Sequence, residues 1–170
     1  MEPAEWTERE FAKFRMLLAE DAVRSSEKVL AGLEFVLKRG WQFYYEKPRE
    51  YGVAPKFDWS ESHNVKAVSL HWPPPKGFSY SVNPPVITRG YIHSLIIPAN
   101  LAVSERHAET EIQVHLEYTV CNEFCIVDEV RLSMPQFADV KIARRYAEKN
   151  RIMISFAGDE KPPAIPAASR

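Results

Sequence analysis

The chain carries only two cysteines, and that scarcity counts against a structural zinc site, which needs about four ligands where this pair supplies two. An excess of either charge is missing as well. Lys+Arg 22 against Asp+Glu 23 leaves a net charge of -1, so the composition signals neither nucleic acid nor an anionic membrane as a partner. No apolar run exceeds a few residues, so nothing here spans a bilayer and direct membrane insertion is not expected. The start, Met1-Glu2-Pro3-Ala4-Glu5-Trp6, lacks the basic and apolar regions of a secretory leader, which leaves either a removed leader or a cytosolic protein. There is no internal repeat, no phosphate-cradling glycine loop, no Gly-x-Ser-x-Gly and no evident carboxylate pair, and no cofactor is indicated.

What is present fits one folded domain. The length of 170 residues suits a single well-cored unit with a tail, and seven Tyr, nine Phe and four Trp lean toward β structure. Both cysteines fall in Thr119-Val120-Cys121-Asn122-Glu123-Phe124-Cys125-Ile126-Val127. Upstream, Ile112, Val114, Leu116, Tyr118 and Val120 alternate with polar residues; downstream, Val130, Leu132 and Met134 do the same. These are two strands with one wet face each, and the cysteine segment is the bend between them.

A bend can bring cysteines four apart within disulfide range, but the ring is small, so its entropic contribution is about 2–3 kcal/mol at best. Three uses stay open on the residues alone: a redox-active pair, a purely structural disulfide, or a soft-metal (copper) site to which His115 and Met134 could add ligands. On the strand register His115 points away from the apolar face.

Along the chain, strands are expected from near Lys13, over Lys28 to Lys38 (Val29, Ala31, Leu33, Phe35 and Leu37 on one face), over Trp41 to Tyr45, over Lys66 to Trp72, and over Tyr91 to Ile97, ended by Pro98. Glu46 to Asp58 reads as loop. Phe78 to Arg89, with Pro84-Pro85, reads as a long apolar loop that should lie against something. Ala138 to Glu148 has helical spacing, Ile152 to Phe156 suggests a last strand, and Gly158 to Arg170 reads as a Pro-rich tail or linker. The sum is an antiparallel β-sandwich with a short C-terminal helix: residues 5–135 as the domain, 136–157 as a helix and final strand, and 158–170 as tail. Trp41, Phe43, Tyr44 and Tyr45 read chiefly as packing residues, as do Trp59 and Trp72.

Several stretches recur in the order found in a known family: Trp6-Thr7-Glu8, Gly40-Trp41 with Tyr44-Tyr45 and Pro48, Gly52 and Pro55 ahead of Phe57-Asp58-Trp59-Ser60, Trp72-Pro73-x-Pro75-x-x-Phe78, Gly90-Tyr91 and Cys121-x3-Cys125-Ile126. In these the chain resembles the amino-terminal domain of the thiol:disulfide interchange protein DsbD, most of all its ScsB (suppressor of copper sensitivity) variant, over roughly Glu5 to Met134.

The resemblance implies an immunoglobulin-like sandwich in the bacterial periplasm, its leader removed, whose cysteine pair is a protein-disulfide reductase centre. A thioredoxin-like domain, driven by a membrane-embedded reductase domain, would supply electrons, and periplasmic disulfide proteins would accept them. Carried over, Cys125 forms the mixed disulfide with partners and Cys121 resolves it. A loop caps the pair in the family; Phe78, Tyr80, Pro84, Pro85 and Tyr91 could occupy that place, with Tyr44 and Phe124 as further cap or partner-docking candidates. Where the family commonly has proline after the Cys-Ile pair, Val127 stands here.

Overall fold

The computed structural model describes residues 5–25, 28–49, 52–80, 86–105 and 108–134, the side chains of 19–25 and of Tyr80 excepted. The expected helix at Ala138 to Glu148, the strand at Ile152 to Phe156 and the tail lie outside the described residues.

Among the described residues the elements are all strands: β1 (Thr7–Glu8), β2 (Ala12–Ser25), β3 (Lys28–Leu37), β4 (Gln42–Tyr44), β5 (Lys56–Asp58), β6 (Val65–Leu70), β7 (Lys76–Tyr80), β8 (Val86–Tyr91), β9 (Ser94–Val103), β10 (Gln113–Cys121) and β11 (Cys125–Ser133). They form two antiparallel sheets. One runs β1-β2-β3-β9-β6; the other runs β11-β10-β4-β8-β7, with β5 also paired to β10. This is the antiparallel β-sandwich that the residue pattern calls for, in the immunoglobulin-like form that the resemblance implies.

Period-two alternation explains the core. Val29, Ala31, Leu33, Phe35 and Leu37 of β3 and Val114, Leu116, Tyr118 and Val120 of β10 are all buried, because each sheet must cover its apolar face with the other. Aromatic rings span the gap between sheets: Phe35 stacks on Phe43 at 5.0 Å and Phe14 meets Tyr118 at 5.1 Å. Each such pair adds about 0.5–1.5 kcal/mol beyond the area it buries. Trp59 is buried in the same core and Trp72 packs against it.

Four expectations need correction. Phe78 to Arg89 is not a loop: β7 and β8 pair as an antiparallel hairpin, from Lys76↔Gly90 to Tyr80↔Val86. The apolar residues that had to lie against something do so by making a ladder. The strand expected over Tyr91 to Ile97 breaks at His93, whose φ of 64 turns the chain out of one sheet and into the other.

Pro98 does not end a strand either; it lies inside β9, opposite Gly32 of β3. In an antiparallel strand the N–H and C=O of one residue point the same way. The Pro98 carbonyl accepts from His71 N–H on the β6 side, so its missing N–H costs no bond to β3. Finally, the expected loop Glu46 to Asp58 ends in the short strand β5, held against His115, Leu116 and Glu117.

Candidate active site

β10 and β11 pair without a register slip from Gln113↔Ser133 to Cys121↔Cys125, so the cysteines are the last facing pair before the turn. Asn122, Glu123 and Phe124 close it. The Asn122 N–H donates to the Phe124 carbonyl at 2.9 Å, and the Asn122 side-chain oxygen accepts from the Phe124 N–H at 3.0 Å, the self-contained turn that Asx residues favour. This geometry sets the two Cα atoms 4.1 Å apart, and the sulfurs are joined as a disulfide.

The two halves of the bond have unequal surroundings. Cys121 is 1% exposed, whereas Cys125 is exposed. Strand pairing explains the burial: Cys121 faces Gln42 on β4, and the next residue on that face, Tyr44, brings its hydroxyl to 3.3 Å from Cys121 Sγ. Cys125 lies on β11, the outermost strand of its sheet in the described residues. Its flanks are apolar and open, with Phe124 at 61% and Val127 at 81% exposure.

The tip is nonetheless anchored. Phe124 meets Trp41 edge-on at 5.9 Å, Trp41 meets Phe11 at 5.4 Å, and Phe11 reaches Tyr118 in the core. Below the tip, Tyr118 donates to Asp128 at 2.7 Å, and Arg9 from the start of the chain donates to the same carboxylate oxygen at 2.9 Å and to the Glu129 carbonyl at 3.1 Å. Burial works against the Asp128 charge, but these donors outweigh it and hold the carboxyl below the usual range. For Tyr118, burial and then the bond to Asp128 push the phenol far up, so it stays a donor.

Of the other residues singled out by sequence, Tyr91 is buried beside Trp72 with its hydroxyl donated to the Pro73 carbonyl at 2.6 Å. Phe78 is half-buried on β7, three strands from β10 in the sheet order. Tyr80 ends β7, and Pro84 and Pro85 lie outside the described residues. His115 is half-buried on the outer face and meets Glu129 at 3.2 Å. It is six residues along β10 from Cys121, about 20 Å at strand rise. Met134 is buried beyond the far end of β11, its N–H donated to the Ile112 carbonyl. The copper ligand set of Cys121, Cys125, His115 and Met134 is therefore not brought together.

The sequence reading did not single out Trp41 as the support of Phe124, nor Tyr44 as a partner of Cys121. The one local signal was Gly40, whose φ of 90 ends the β3 side of the turn and starts Trp41 and β4 toward the tip.

Residues 13–136 match the family model described as thiol:disulfide interchange protein DsbD, N-terminal. No curated protein sequence matches the chain. Among solved structures, the N-terminal periplasmic domain of ScsB from Proteus mirabilis overlays with a TM-score of 0.60 at 26% identity, covering 85% of this chain and 57% of that one. The chain thus spans a little over half the length of that relative. Looser overlays are the reduced DsbD N-terminal domain of Neisseria meningitidis (TM-score 0.39, 12% identity, 74% and 89% covered) and the GAE domain of yeast GGA1 (0.42, 9%, 79% and 100%).

Proposed function

From the premise that the chain belongs to the family of DsbD N-terminal domains, we propose that it is a thiol–disulfide exchange module working through Cys121 and Cys125. The observation that carries the reading is the unequal exposure of the pair at the end of a supported hairpin. Exchange needs in-line attack by a thiolate on one sulfur while the other departs. Cys125 is the sulfur a partner can reach, and Cys121 is the one that leaves.

In the reverse direction Cys125 attacks a partner's disulfide, a mixed disulfide forms, and Cys121 closes the internal bond to release the reduced partner. This step needs only the two thiols and a protein partner, so no cofactor enters it.

The module works in the periplasm, in keeping with the compartment named for the ScsB domain it overlays. Its electrons come from a thioredoxin-like domain coupled to a membrane-embedded reductase domain, and its acceptors are periplasmic disulfide proteins. Residues 5–135 form the working unit, and 136–157 and 158–170 follow as appended segment and linker. Phe124, exposed beside Cys125, forms the rim that a partner meets, with the β7–β8 hairpin that carries Phe78, Tyr80 and Tyr91 farther across the same sheet and Tyr44 buried behind Cys121.

Trapping tests the reading. In Cys121→Ala, Cys125 should collect reducible mixed disulfides with a thioredoxin-like domain, and Cys121→Ala/Cys125→Ala should collect none. A wild-type pair with a potential below about -300 mV, and a Cys121→Ala variant that stays unmodified beside such a domain, would leave a purely structural bond.

A further inference from the structure

The hydroxyl of Tyr44 lies 3.3 Å from Cys121 Sγ in a buried setting, although 77 residues separate the two in sequence. A disulfide sulfur has no hydrogen, so in the oxidised state the phenol donates and the sulfur accepts. The ring has little room to leave this position. Tyr44 pairs with Gly90 across β4 and β8, and a Cβ at Gly90 would sit 2.2 Å from the Phe43 carbonyl oxygen, so glycine permits that pairing. On the other side, Gly52 (φ +130) presses so closely on the ring that a Cβ there would come within 2.8 Å of Tyr44 Cδ1. The Gly52 backbone packed on the ring, and a β4–β8 pairing that glycine at position 90 permits, therefore hold one phenol against the less accessible sulfur.

We propose that Tyr44 is a catalytic hydrogen-bond donor that stabilises the Cys121 sulfur as it departs as thiolate. The proposal rests on the exchange reading above. In the step, a thiolate of a partner cysteine or of a small thiol forms a bond to Cys125 Sγ and the Cys121–Cys125 bond breaks. Its electron pair moves onto Cys121 Sγ, and the phenol proton stays on Tyr44 Oη. Burial alone would penalise that new charge, and a hydrogen bond to a charged acceptor is stronger than one to a neutral sulfur, so the contact tightens as the bond breaks. Run backward, the same donor keeps the Cys121 thiolate available to attack a mixed disulfide on Cys125. The competing account is a core tyrosine that merely satisfies its hydroxyl on the nearest acceptor. It predicts no effect on sulfur chemistry.

The experiment compares wild type with Tyr44→Phe, which keeps the ring and removes the donor. Reduction by dithiothreitol at fixed pH should slow by about tenfold, the scale of one hydrogen bond to a charged group. In a Cys125→Ala background, iodoacetamide labelling of Cys121 as a function of pH should shift upward by about one unit when Tyr44→Phe is added. Gly52→Ala, which leaves the phenol in the chain but displaces its ring, should slow reduction in the same direction and guards against a folding defect of Tyr44→Phe. Unchanged rate and unchanged labelling profile in a folded Tyr44→Phe overturn the assignment and leave the exchange reading standing. A wild-type disulfide that dithiothreitol cannot open removes both.

Discussion

On the inner face of the β10–β11 hairpin the facing pairs are Val120/Ile126, Tyr118/Asp128, Leu116/Val130 and Val114/Leu132; on the outer face they are Cys121/Cys125, Thr119/Val127, Glu117/Glu129 and His115/Arg131. One stretch of sequence thus supplies two surfaces. The inner face is filled with buried apolar side chains, and its one carboxylate, Asp128, is held by Tyr118 and Arg9. That inward charge also keeps an outermost strand from inviting another chain. The outer face leaves Cys125, Val127, Glu117, Glu129 and Arg131 exposed, and closes only at Cys121 and Thr119. Because side chains alternate with period two, a one-residue slip would exchange the faces, so the core fixes the register on which the sulfur geometry depends. Substitutions on the two faces should therefore separate stability from exchange.

The largest separation should come from Leu116→Ala. Leu116 is 0% exposed, and truncating such a side chain costs about 2–5 kcal/mol, through lost transfer energy and the cavity left behind. A urea titration should show the midpoint fall, while disulfide reduction measured in the folded fraction keeps the wild-type rate. A folded Leu116→Ala whose reduction rate shifts tenfold would show the faces to be coupled.

Asp128→Asn should act less strongly and only over part of the pH range. The folded carboxyl sits below its unfolded value, near 3.9, so its contribution is fully present above that value and disappears as pH falls through the folded one. With the Arg9 and Asp128 side chains 34% and 27% exposed, screening reduces the effect to about 1 kcal/mol at pH 7. The gap in urea midpoint between wild type and variant should narrow as pH falls below the unfolded value and close once it has passed through the folded one. A gap that persists there would point to altered packing and not to charge.

The inner face was readable from sequence because alternation over Ile112 to Val120 and over Val29 to Leu37 is long enough to fix a strand and its buried side. The cysteine bend was readable for the same reason, since it lies between two such runs. Shorter or interrupted elements were not. The three residues of β5 have no period to detect, and the prolines between β7 and β8 masked a hairpin whose two arms are each five or six residues long. Pro98 misled because only the tertiary position of β6 decides whether its missing N–H matters. The site was half readable. The pair itself is local, but the contact between Tyr44 and Cys121, and hence the inequality of the two sulfurs, depends on β4 docking beside β10.

The smallest effect on stability, and the sharpest test of the outer face, should come from Val127→Ser. Val127 is 81% exposed and lies two residues beyond Cys125 on the same side of β11. Removing an exposed methyl pair should change the unfolding free energy by less than about 0.5 kcal/mol. If a partner covers these side chains when it reaches Cys125, the burial it gains there is worth up to about 1 kcal/mol, so capture of a thioredoxin-like domain by Cys121→Ala should slow roughly two- to fivefold in the double variant. Reduction by dithiothreitol, too small to need that surface, should keep its rate. Equal slowing with both reagents would mean that Val127 shapes the disulfide itself, and the division between a docking rim and a reacting sulfur would fail at its most exposed residue.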